Sequence, residues 1–149
     1  MFKTETDAAQ WATEHAKFFE TVWDPKSKWT EEFFMGLRNK DMTHVFQGTA
    51  CTSINGAMDH WKPMRGAFVE CNMLGVDIET YTDTMVVYMG YGMFKTFEGR
   101  DLFMKTRWIV DVDAKGKVVR EVAVMEPKYW AAMGAVMGAY AEKTGVKTT

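Results

Sequence analysis

Residues 85 to 126 constrain the fold most, because they read as three consecutive antiparallel strands joined by tight turns. Met85 to Phe94 leads to a turn at Glu98-Gly99-Arg100, Leu102 to Val112 to a turn at Asp113 to Lys117, and Val118 to Met125 closes the run. All three stretches are rich in the β-branched, aromatic and Met side chains that suit a pleated, half-buried surface. Strand faces alternate with period two, so Thr106, Trp108, Val110 and Val112 share an inner face, and Phe103, Lys105, Arg107, Ile109 and Asp111 the outer one. Gly90 and Gly92 interrupt the face of their strand opposite Met89 and Tyr91, which predicts a bulge or sharp bend in a curved sheet.

Helices flank this meander. Thr4 and Asp7 form a reciprocal cap, and Ala8, Trp11, Ala12, His15, Phe18, Phe19 and Val22 follow at helical spacing, up to Asp24-Pro25. On that stripe His15 reads as a hydrogen-bonded core residue. Ser27 or Thr30 caps a second helix with Trp29, Phe33 and Leu37 inside, and Asp41 a short third one with Met42, Val45 and Phe46 inside, leaving His44 solvated. Gln47 to Ile54 reads as a short strand ending at Asn55-Gly56. Residues 57 to 73 read as two short turns or one bent helix, broken or kinked at Pro63, and 76 to 81 as another strand. A final helix, 128 to 143, ends at Gly145; its uncharged stretch is too short to span a bilayer.

At 149 residues the chain has the length of one domain. A net charge of −2 offers no basic stripe for nucleic acid. Cys51 and Cys71 lack disulfide or zinc patterning and read as reduced thiols, and the acidic start has no apolar signal run, so a cytoplasmic protein is expected. Thirteen Met and six Trp suit either a greasy pocket or a greasy core.

The order of these pieces resembles the NTF2-like superfamily, in particular its SnoaL-like and ketosteroid-isomerase-like members. The resemblance covers residues 8 to 127 and rests on Asn39-Lys-Asp-Met42, Asn55-Gly56, Glu98-Gly99-Arg100 and the Gly116-Lys-Val118 hairpin. It implies an α+β fold, a strongly bent antiparallel sheet that forms a conical pocket with the N-terminal helices; the C-terminal helix lies outside the common pattern. Ketosteroid isomerase chemistry is not implied: the family's base falls within Thr52 to Ile54, its Tyr at Phe33 and its Asp at Trp108. The acid of the polyketide cyclases falls at Ala123.

What the resemblance does imply is a pocket wall of Phe33, Met89, Tyr91, Met93, Lys95, Trp108, Glu121, Ala123 and Met125. Glu121 is its only carboxylate, and in an apolar pocket it would be pushed toward the neutral form and serve as acid or base, with Tyr91 as hydrogen-bonding partner. The apolar Val122 and Val124 point instead to a solvated Glu121. Two functions stay open: a cofactor-independent isomerase, lyase, cyclase or hydrolase acting on a hydrophobic molecule, or a non-catalytic carrier or assembly module with a filled cone. No cofactor or metal is called for, since His15, His44 and His60 lack ligand spacing. The outer sheet face predicts a homodimer.

Overall fold

The computed structural model describes residues 1–145. Helix α1 (Glu5–Val22) starts at the expected capping box, in which Thr4 and Asp7 each accept from the other's backbone N–H. Its buried stripe of Ala8, Trp11, Ala12, His15, Ala16, Phe19 and Val22 packs against the sheet, chiefly on β3 (Phe68–Tyr81). The second helix is shorter than expected: α2 (Glu31–Met35), capped by Thr30, stops where Gly36 takes a positive φ of 34°.

The remaining strands are β1 (Arg38–Phe46), β2 (Thr49–Cys51), β4 (Met85–Thr96), β5 (Asp101–Val112) and β6 (Val118–Val124). They form one six-stranded sheet in the order β2-β1-β6-β5-β4-β3, in which β1 runs parallel to β6 and the other pairs are antiparallel. The meander is thus observed, with β3 as its long outer neighbour. Register shifts sit in β3, after Phe68, Met73 and Ile78, rather than at Gly90 and Gly92 of β4, which stay in regular pairing. Those bulges lie on an edge strand of the curved sheet.

Residues 41 to 46 are strand, not the expected helix. Met42, Val45 and Phe46 fit a helical face, but Met42, His44 and Phe46 fit a strand face equally, and pairing with β6 decides: His44 stands beside Glu121. A two-residue turn with positive φ at Gln47 and Gly48 then returns the chain into β2. Ser53 caps α3 (Ile54–Trp61), a 3-10 turn holds Pro63, and β3 begins eight residues earlier than residue 76.

Helix α4 (Pro127–Thr144) ends at Gly145 in the left-handed region, φ 72°. Of its side chains Met133 and Val136 are buried, Tyr129, Met137 and Tyr140 are half-buried, and Trp130 is 38% exposed. Contacts of Trp130 with Phe46 and of Tyr140 with Phe97 carry it from the end of β1 to the turn after β4. No described helix is long and apolar enough to cross a membrane.

Candidate functional site

Four charged or titratable side chains meet at the centre of the inner sheet face, all buried: His15 from α1, Arg38 and His44 from β1, and Glu121 from β6. Glu121 Oε1 accepts from Arg38 Nε at 2.9 Å and from His44 Nδ1 at 3.0 Å, while Oε2 faces His15 Nε2 at 2.7 Å. The Trp61 indole donates to His44 Nε2 at 2.9 Å, and Tyr88 OH lies 2.6 Å from His15 Nδ1.

Indole is a donor only, so His44 carries its proton on Nδ1 and gives it to Glu121. By the same accounting neutral His15 donates from Nε2 to the carboxylate and accepts the Tyr88 hydroxyl at Nδ1. Burial pushes the Glu121 carboxyl up, but the Arg38 charge and the two imidazole hydrogen bonds outweigh it and hold the group well below the usual carboxylate range. Burial lowers His15, against the pull of Glu121, and raises the Tyr88 phenol well above its ordinary value. The resulting unit is an ionised carboxylate paired with a guanidinium and flanked by neutral imidazoles, rather than the neutral acid expected of Glu121.

Beside this cluster lies a cavity of about 50 Å³ bounded by α1, the inner sheet face and α4. Phe19, Trp61 and Trp108 stand on its wall and also touch the histidines, so they separate the cavity from the polar cluster. Met64, Met73, Met104, Met125 and Met133 supply much of the remaining wall, and Thr106 the only hydroxyl among the described residues that line it.

Of the side chains expected to line the pocket, Trp108 and Met125 do so. Ala123 is fully buried next to Trp108 in register but is not on the wall. Phe33 packs on Phe18 and Phe34, away from the cavity. Met89, Tyr91, Met93 and Lys95 lie on the outer face, because Gly90, Gly92 and Phe94 are the β4 residues that face the cavity. Both glycines leave room for Met73: its Cε and Sδ lie 3.5 Å and 3.3 Å from where a Cβ would stand at Gly90 and Gly92.

Tyr91 therefore cannot serve Glu121. Its hydroxyl donates to Asp77 at 2.7 Å, and Lys95 pairs with Glu70 at 3.8 Å, both on the outer face. Tyr88, three residues earlier, occupies the role expected of Tyr91, through His15. His44, expected in solvent, is buried on Glu121. Sequence reasoning also missed Arg38; the signal that could have found both is the alternation of Met42, His44 and Phe46. Among the described residues there is no cluster of metal-ligating side chains.

No protein-family model and no curated protein matches the chain. Solved structures do. TerC, co-crystallised with polyporic acid, aligns with a TM-score of 0.65 at 10% identity, covering 88% of this chain and 98% of that one. A candidate SnoaL-like polyketide cyclase from Jannaschia sp. CCS1 gives 0.62 at 14% identity, over 92% and 96% of the two chains. An NTF2-like protein from Anabaena variabilis gives 0.62 at 16% identity, over 85% and 95%.

Proposed function

The chain has the NTF2-like fold, and from that premise we propose that it binds a small hydrophobic molecule in the cavity between α1, the curved sheet and α4. One observation carries the reading: the wall is built of Trp, Phe and Met side chains around a single hydroxyl. Benzene occupies a cavity of about 150 Å³, so the 50 Å³ present here admits a ligand only as methionines swing aside. Methionine is suited to that, being unbranched and readily repacked. Met133 brings α4 into the wall, so the helix covers one side of the site. Co-crystallisation of TerC with polyporic acid is in keeping with a small-molecule site in this fold.

Carriage or sensing, rather than catalysis, is supported by the position of Glu121. Both its oxygens are engaged, by Arg38 and His44 on one and His15 on the other, and Trp61 and Trp108 stand between it and the cavity. The small volume favours a second reading, an assembly module with a filled cone. In either reading the chain pairs with a second copy through the outer sheet face, where half-buried Ile109 and Val122 and exposed Phe103 and Val124 form an apolar strip.

Titration with the neutral probe N-phenyl-1-naphthylamine tests the ligand site. Saturable enhancement is expected in the wild type. Gly90→Leu should abolish it without loss of thermal stability, since a Cβ there meets Met73 Cε at an ordinary 3.5 Å and the rest of the side chain fills the cavity. A wild type that shows no saturable binding would leave the filled cone as the surviving reading.

A further inference from the structure

Two buried side-chain polar atoms among the described residues lack a hydrogen-bond partner, Trp23 Nε1 and a terminal nitrogen of Arg38. Arg38 has compensation, for its guanidinium lies 4.4 Å from the Phe18 ring centroid and its Nε is paired. Trp23 has none. The indoles of Trp11, Trp29 and Trp61 all donate, to Gly116 O, Val22 O and His44 Nε2, at 3.0, 3.0 and 2.9 Å. A buried donor left open is costly, and one that persists calls for an acceptor supplied from elsewhere.

Trp23 is 3% exposed, caps the C-terminal end of α1, and stands on the cavity wall. Its other side borders a surface cleft formed with Arg65, Phe68 and Tyr140, so its ring divides the cavity from the outside. Among the described residues no ionisable side chain lines the cavity. Of the charged groups nearby, Glu121 and Arg38 are paired behind Trp61 and Trp108, and Arg65 borders the outer cleft rather than the cavity. A charged ligand would therefore enter without a counter-charge, which is prohibitive in an apolar site.

Resting on the reading of this cavity as a ligand site, we infer that its ligand is an uncharged aryl carbonyl compound or close relative. Its oxygen accepts the Trp23 indole N–H, and its flat apolar body lies against Phe19, Trp61 and Trp108. The open donor thereby specifies the chemistry that the apolar wall leaves undefined. A hydrocarbon of the same shape still binds, but leaves Trp23 unpaired.

Acetophenone and its hydrocarbon isostere α-methylstyrene test this, with affinities measured for the wild type and Trp23→Phe. The ratio of acetophenone to α-methylstyrene affinity should fall about tenfold in the variant, the equivalent of one hydrogen bond. In the wild type, the Trp23 indole N–H resonance should move downfield with acetophenone and not with α-methylstyrene, a readout that does not depend on the variant folding. An unchanged ratio, or an indole resonance indifferent to acetophenone, overturns the inference; so does binding of α-methylstyrene alone, while leaving the cavity as a ligand site. Failure of both probes to bind overturns the inference together with the function it rests on.

Discussion

Glu121→Gln keeps the shape of the buried cluster and removes its negative charge. The native carboxylate receives Arg38 Nε at 2.9 Å and His44 Nδ1 at 3.0 Å on one oxygen and His15 Nε2 at 2.7 Å on the other. A glutamine oxygen can retain the first two, which sets its amide N–H₂ against His15. His15 relieves that contact by moving its proton to Nδ1, with Tyr88 turning to accept. Hydrogen bonding thus survives, and what is lost is the counter-charge of Arg38, a side chain 2% exposed in the wild type. Removing one partner of a buried ion pair costs about 3–5 kcal/mol. For a chain of this length that lowers the thermal midpoint by roughly 10 °C. Circular dichroism melts and urea titrations at pH 7 measure it. Arg38→Met in the Glu121→Gln background should cost less than the sum of the two single changes, because no orphaned cation remains. A midpoint within about 2 °C of the wild type, or strict additivity, would refute the pairing as the source of stability.

Burial lowers His15 below its ordinary 6.5, so the unfolded chain takes up a proton there before the folded one does. The stability due to neutral His15 is complete above pH 6.5 and is lost as pH falls toward the depressed value; His15→Gln should flatten the unfolding free energy between pH 6.5 and the carboxylate range, leaving the contribution of His60 there and those of Glu121 and Asp113 at lower pH. Truncation after Pro127 removes Met133 and Val136, each contributing about 2 kcal/mol by burial, and uncovers the cavity. A soluble product that exchanges probe faster identifies α4 as a lid, whereas unchanged stability and binding would show that the helix does neither. Ile109→Asp should convert a dimer to a monomer by light scattering at micromolar concentration, and a wild type already monomeric would sink the proposed pairing.

How much of this was legible in the chain depended on how local the deciding interaction is. Helix α1 could be read from Thr4, Asp7 and the stripe from Ala8 to Val22 because cap and periodicity lie within one segment. The meander could be read because its turns and the alternation from Met104 to Val112 are equally local. Strand β1 could not. Its Met42-to-Phe46 pattern satisfies helical and strand spacing alike, and the choice is made by parallel pairing with β6, some 77 residues away at His44 and Glu121.

The face of β4 was misjudged for a different reason. Met89, Tyr91 and Met93 have the side chains a pocket wall would be expected to use, whereas Gly90 and Gly92 have none. A concave surface, though, needs space as much as contact, and the absent side chains are what admit Met73 and the cavity. Glu121 illustrates the same limit. As a lone acid among apolar neighbours it could be singled out from sequence, but its state is set by residues 83, 77 and 106 positions away, two of them histidines that carry charge only when protonated. Arg38 holds the carboxylate ionised and both imidazoles are engaged as donors, so the polar groups of the cluster are turned toward one another, with one terminal nitrogen of Arg38 left unpaired. Glu121 fastens α1, β1 and β6 together beside the cavity, and an indole on the cavity wall keeps an unpaired N–H.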